Sequence, residues 1–358
     1  MSTFFLGIDC GATTSKVASV DAQGEPLSGS LRQLPTLSER GPSAVVANWI
    51  NLAEDFLASH DVGWQNVAGV GLAIPGPYLE YGVLGRMPNM AAELEGWHFL
   101  DDLTTAVQIR TGRSTPVVTA NDGLLAGLAE ARYVQAQQPG GVLMLAPGSG
   151  LGCSFVDAEG KLLVGDHQAG VIVCHMPAPY ERLGLPAFRC GCGRDWGCHE
   201  AYTSMSGLPQ YLDHFLPQYP DHPLARSDRS IKQRVLSVRN LAQENDPLAL
   251  KIFDTQAQAL GLTVACAAMA YDPSHVVIGG GLIDPRATTS AFRTRYVEAI
   301  RQSASAYLWA FPEQLTYHQA KLGELSQAIG AALHVRSTLT TSTPQLAPRR
   351  GDSFQKTQ

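Results

Sequence analysis

The chain has 358 residues, 45% hydrophobic and 16% charged, which suits a sizeable packed core and excludes a disordered protein. Its 26 Lys and Arg against 32 Asp and Glu leave a net charge of −6, so no basic footprint for nucleic acid is present. Seven cysteines, an odd number, argue against a disulfide framework, and a reducing cytoplasm is the expected home.

Residues 4–8 form a short apolar run that ends at Asp9 and reads as a buried strand. It lacks a basic flank, so neither a secretory leader nor a membrane span is expected. After Gly11-Ala-Thr-Thr14, Lys16–Val20 resumes as a second strand, and Asp21-Ala-Gln-Gly24 reads as a hairpin turn. Val45, Val46, Trp49, Ile50, Leu52, Phe56 and Leu57 recur at helical spacing and predict a helix over 43–60. Val67–Ile74 is a strand stopped by Pro75-Gly76-Pro77. Pro116–Thr119 is another, followed by Asn121-Asp122 and a small-residue helix over 123–133. Val142–Ala146 runs into Pro147-Gly-Ser-Gly-Leu-Gly152, and His275–Ile278 into Gly279-Gly-Gly281.

Strand, glycine turn, then helix or hairpin recurs in two halves. This predicts an α/β protein of two related lobes with mixed sheets and a cleft where the glycine turns converge. The expected division is a small lobe over 1–118, a large lobe over 119–322, a C-terminal helix over 323–336 packing back on the small lobe, and a loose Ser/Thr/Pro-rich tail over 337–358.

The run Cys190-Gly-Cys192-Gly-Arg-Asp-Trp-Gly-Cys198-His-Glu200 places three thiols on a glycine-rich loop that can curl around one ion. Zn²⁺ suits such a set, with His175 as the nearest upstream fourth ligand. Paired disulfides, or buried thiols acting as small hydrophobes, are the plainer reading. Three strand-to-glycine turns are candidate phosphate cradles. They are Asp9 to Lys16 with Gly11, Thr13 and Thr14; Gly148-Ser149-Gly150; and Gly279-Gly280. Glycine turns are usually only turns, and none here fits the Walker A or dinucleotide-binding pattern. Asp122 reads equally as a helix N-cap and as a general base that accepts a hydroxyl proton, with Asn121 beside it for a sugar. His175 could be a core histidine, Glu200 a helix cap, and Asn89 a turn residue.

Taken together, these motifs resemble the ROK family (repressors, open reading frames, kinases) of the actin-like ATPase and sugar kinase superfamily. The matching pieces are Asp9-x-Gly-x-Thr-x-x-Lys16, Ile74-Pro-Gly-Pro77, Pro88-Asn89, Asn121-Asp122, Gly148-Ser-Gly-Leu-Gly152, the Cys190–Glu200 run, Asp272 to Gly281, and Gly323 to Ala332. They follow the family's order over about residues 4–335. The resemblance implies a two-lobed actin-like ATPase (ribonuclease H-like) fold and phosphoryl transfer from ATP to a hexose or N-acetylhexosamine. It implies Asp122 as catalytic base, and Gly76, Asn89, Asn121, Asp122, His175 and Glu200 at the sugar. Gly11, Thr13, Thr14, Lys16, Gly148, Ser149, Gly150, Gly279 and Gly280 would surround ATP, and Asp9 would help to position Mg²⁺. His175, Cys190, Cys192 and Cys198 would hold a structural Zn²⁺, and a homodimer is expected, with no nucleic-acid or membrane partner. Family repressors carry a winged helix ahead of the first phosphate motif, which begins here at residue 9, so the resemblance favours the kinases.

Three departures stand out. The family's Glu-x-Gly-His before the metal loop is here Ile172-Val-Cys174-His175, so an apolar residue replaces a sugar-binding Glu. Losing such a contact costs on the order of 2 kcal/mol, which predicts weaker or altered sugar binding, or a non-catalytic sugar-binding regulator. The metal loop carries one residue more than the family pattern between Gly193 and Gly197, and Pro147 and Ala12 alter the two phosphate turns.

Overall fold

The computed structural model describes residues 3–27, 31–87, 90–166, 168–310 and 313–340. The chain begins with β1 (Phe4–Cys10), β2 (Thr14–Asp21), β3 (Arg32–Pro35), α1 (Pro42–Ala58), β4 (Val67–Ile74), β5 (Tyr78–Glu80), β6 (Val83–Leu84), α2 (Phe99–Thr111) and β7 (Val117–Asn121). It continues with α3 (Asp122–Gln135), β8 (Val142–Pro147), β9 (Leu151–Val156), α4 (His199–Thr203), α5 (Leu208–Phe215), α6 (Ile231–Gln243) and α7 (Pro247–Tyr271). The last elements are β10 (His275–Ile278), α8 (Ser290–Tyr307), β11 (Thr316–Gln319) and α9 (Ser326–Thr340).

Among the described residues the first sheet has the order β3-β2-β1-β4-β7 and the second β11-β10-β8-β9. In the first, β4 runs parallel to both β1 and β7, with Asp9 beside Ala73 and Ile74 beside Asn121. Asp9, Ile74 and Asn121 therefore lie at one end of the sheet, the end at which α/β proteins build their sites. In the second, β8 and β10 run parallel and end at neighbouring glycine turns. β7 belongs to the first sheet, so the expected boundary between 118 and 119 runs through that strand.

β1 as far as Ile8 and β4 throughout are apolar because helices cover both faces of the sheet. One face carries α1 and α2, whose Trp49, Phe56 and Leu103 join Leu72 and Ile74 in a core. Trp97 is 7% exposed and stacks on Trp49 at 5.6 Å. The other face meets α3 and α9, and these helices share a core with Val142, Met144 and Val277 of the second sheet. A third core lies behind the second sheet around α7, α8 and Tyr211.

α9 runs to Thr340, so the first four residues of the expected tail are helical, and 341–358 lie outside the described residues. Among the described residues no helix is long and apolar enough to cross a membrane.

Candidate active site

Asp9, at the end of β1, is 5% exposed and faces Lys16 across the β1–β2 pair, with Nζ 3.9 Å from Oδ2. Burial pushes its carboxyl up to about 7; Lys16 opposes this, and the charge of nearby Asp122 adds to it. The following turn is braced from both sides. Gly11 N–H donates to Thr14 O at 3.1 Å, and Thr36 donates through Oγ1 to Gly11 O at 2.6 Å and through N–H to Thr13 O at 2.9 Å. Thr13 stands exposed at its apex.

The N-cap role that the sequence offered to Asp122 belongs to its neighbour. Asn121 is the N-cap of α3, and its Oδ1 accepts the Gly123 N–H at 3.0 Å. Asp122 is the first helical residue; its Oδ1 shares the same N–H at 2.9 Å. The helix N-terminus favours a carboxylate here. Burial outweighs that and raises the Asp122 pKa. The Asn121 amide nitrogen lies beside Gly76, 3.9 Å from where a Cβ would stand. Tyr78 also borders this pocket, its phenol kept protonated by burial and by the Asp122 charge. Nothing in the local sequence marks Tyr78.

The β8–β9 turn closes on itself through Gly148 N–H to Gly150 O at 2.8 Å, and Gly148 O accepts the Met205 N–H at 2.8 Å. Gly280 has φ +79°, and a Cβ there would lie 2.4 Å from Pro147 O, so only glycine lets the two turns meet. A Cβ on Gly148 would be 3.7 Å from Gly281 N, and one on Gly123 3.3 Å from the Gly152 Cα. The Asp122 end of α3 thus packs beside Gly152, and the two glycine turns meet each other. Ser149 sits between Gly148 and Gly150 at the tip of the turn, and Gly279 donates to Leu145 O at 3.0 Å.

The thiols converge as their spacing suggests. The ligand atoms of His175, Cys190, Cys192 and Cys198 all lie within 4.8 Å of one another. Cys192 Sγ to Cys198 Sγ and Cys190 Sγ to His175 Nδ1 are each 3.7 Å. A tetrahedral zinc with its usual bond lengths sets ligand–ligand edges of about 3.5–3.8 Å. The donor set and its geometry therefore fit Zn²⁺. His175 is brought in by pairing of its flank with the loop: His199 N–H donates to Met176 O at 3.0 Å and Ala178 N–H to Gly197 O at 2.8 Å. The extra residue is accommodated by Trp196, which is 44% exposed, donates to Cys198 Sγ at 3.1 Å and carries the Arg194 guanidinium over its ring.

Glu200 does not cap α4. Its Oε2 accepts the Leu151 N–H at 3.0 Å, against Gly150, and its Oε1 accepts from Cys190 Sγ at 3.5 Å. One carboxylate thus touches the β8–β9 glycine turn and the thiol loop together. Ile172, where the family's Glu is expected, is 45% exposed and precedes the turn that ends at His175. Asn89 lies outside the described residues.

The ROK family model matches residues 5–338. The chain belongs to the ROK family. The glucokinase of Halalkalibacterium halodurans is 26% identical over 281 residues, 78% of this chain and 80% of that one. The N-acetyl-D-glucosamine kinase of Haemophilus influenzae is 26% identical over 337 residues, 92% of this chain and 98% of the relative. Among solved structures, a ROK hexokinase from Thermus thermophilus superposes with a TM-score of 0.71 at 26% identity, covering 94% of this chain and 99% of that one. This ROK protein has the two-lobed actin-like ATPase fold.

Proposed function

We propose that this protein moves the γ-phosphoryl group of ATP to a hydroxyl of a hexose or N-acetylhexosamine, with Asp122 as the base. That it is a sugar kinase follows from its family membership and its relatives. The proposal concerns the residues and the acceptor. The observation that carries it is Asp122, with its pKa raised by burial, at the end of α3 that packs against Gly152 beside the β8–β9 turn. As the sugar oxygen bonds to phosphorus and the bond to the ADP oxygen breaks, the hydroxyl proton passes to Asp122. A carboxylate with a raised pKa is a better proton acceptor than an ordinary one.

Asn121, Gly76, His175 and Glu200 would line the sugar. Gly11, Thr13, Thr14, Lys16, Gly148, Ser149, Gly150, Gly279 and Gly280 would surround the nucleotide. Asp9, buried with one lysine at 3.9 Å, fits a nearby Mg²⁺, which would neutralise charge on the phosphates. Zn²⁺ held by His175, Cys190, Cys192 and Cys198 would cross-link the loop that presents His175 and Glu200.

An ADP-release assay over a panel of hexoses and N-acetylhexosamines tests this. Turnover with one sugar, reduced roughly 10²- to 10⁴-fold by Asp122→Asn in a folded protein, is the expected result. Near wild-type turnover in the variant removes the base assignment. Silence from folded, zinc-loaded protein would transfer the case to a sugar-binding regulator, the reading that Ile172 favours.

A further inference from the structure

His175 belongs to two clusters. Besides the thiol set, the ligand atoms of Cys174, His175 and Glu200 all lie within 4.8 Å of one another, and all three residues are half-buried. A thiol, an imidazole and a carboxylate make three protein ligands, the number that open zinc sites use. Cys174 is the distinctive member. It stands on the short turn over 173–175, next to His175, where the family pattern has glycine.

Two further observations point to a cation here. His175 turns Nδ1 toward Cys190 at 3.7 Å, which leaves the ring's second nitrogen for another partner. Glu200 Oε1 takes its hydrogen bond from the Cys190 thiol at 3.5 Å. Once Cys190 is a zinc-bound thiolate it carries no proton to donate. Oε1 then faces a sulfur anion with no donor, while Oε2 stays on the Leu151 N–H at 3.0 Å. A half-buried carboxylate oxygen in that position needs a hydroxyl or a cation.

We propose that Cys174, His175 and Glu200 form a second site for a thiophilic divalent ion, Zn²⁺ or Cd²⁺, beside the structural zinc. Binding releases the Cys174 thiol proton and the second ring proton of His175 to solvent. The consequence for catalysis rests on the proposed reading of His175 and Glu200 as sugar ligands. On that reading an ion at this site takes the groups that hold the sugar, and excess zinc inhibits in competition with sugar.

The test uses the whole protein loaded with one equivalent of Zn²⁺ and titrated with further Zn²⁺ or Cd²⁺. Calorimetry and thiolate-to-Cd²⁺ absorbance provide the readouts. Wild type should take a second equivalent, and Cys174→Gly or Cys174→Ala should weaken that step by at least roughly tenfold. The first equivalent should be unaffected. A wild type that saturates at one equivalent overturns the site, as does a second equivalent undisturbed in both variants. The kinetic arm is separate: added Zn²⁺ should raise the sugar KM at constant kcat in wild type, and much less in Cys174→Ala. A Cys174-dependent second equivalent with no effect on KM upholds the metal site and removes His175 and Glu200 from the sugar.

Discussion

Asp9 shows what burying an acid beside another acid does to one residue. Its ordinary pKa of 3.8 rises to about 7, chiefly through burial, with Lys16 opposing and Asp122 adding. Folded protein therefore keeps a proton that the unfolded chain gives up near pH 4. The stability held by neutral Asp9 is complete below about pH 4 and is lost as pH rises through 7, by on the order of 3–4 kcal/mol. Asp9→Asn removes the titration. The variant, free of nucleotide, should gain melting temperature over wild type at pH 8 and much less at pH 5, while its affinity for Mg²⁺-ATP falls. Thermal melts across that range decide the point: a gain that is flat with pH would mean that Asp9 titrates as an exposed carboxylate. A cation near Asp9 would favour its ionised form.

Among the elements, α9 depends most on space left by glycine. A Cβ on Gly7 would lie 1.9 Å from Ala328 O, one on Gly71 1.9 Å from Ala331 O, and one on Gly330 1.8 Å from Leu125 O. The helix backbone thus rests directly on β1 and β4 and against α3. Gly71→Ala forces backbone, not a flexible side chain, to move, and should cost at least about 2 kcal/mol in a urea titration. Gly63→Ala meets only the side chain of Gln65 and should stay within about 0.5 kcal/mol. Gly7 and Gly71 look like ordinary strand glycines in the sequence, because what they accommodate, Ala328 and Ala331, is some 260 residues away or more. β1, β4, β8 and β10 were legible because each carries an apolar run that a turn residue stops, while β7 runs two residues beyond the expected Thr119. α7 and α8 were not read. α7 is buried on most sides, which blurs its periodicity, and α8 has only Phe292, Tyr296, Ile300 and Ala304 buried in a polar background. At the site, the thiols and Asp122 could be placed from local spacing. The tie from Glu200 to Leu151 spans 49 residues and the Tyr78 neighbourhood is built by folding, so neither leaves a local trace.

For the molecule as a whole, the question is how two sheets are made to move as a pair. The chain crosses between them at Asn121–Asp122 and again after β11, and both crossings adjoin the core shared by α3 and α9. Glu130 on α3, 1% exposed, locks the second crossing: its carboxylate accepts the Lys321 N–H at 2.9 and 3.1 Å and the Leu322 N–H at 2.8 Å. Burial raises its pKa, and those three contacts oppose the rise. A second brace lies outside, where Arg286 bridges Asp284 at 2.7 Å and Glu324 at 2.6 Å, but it is exposed and worth little by itself. Glu130→Gln keeps the shape and turns one acceptor into a donor facing a backbone N–H, so it should lower stability by roughly 1–3 kcal/mol. If the lock also sets how the lobes close on their substrates, kcat and both KM values should shift together, as they do for hinge changes. Asp122→Asn, by contrast, should act on kcat with both KM values held, because it removes proton transfer and leaves closure intact. Steady-state kinetics of the two variants beside urea denaturation separates these roles. A Glu130→Gln protein that is less stable but kinetically wild type would make Glu130 a staple in the shared core, and closure would then have to be set by the exposed Arg286 brace or by the substrates themselves.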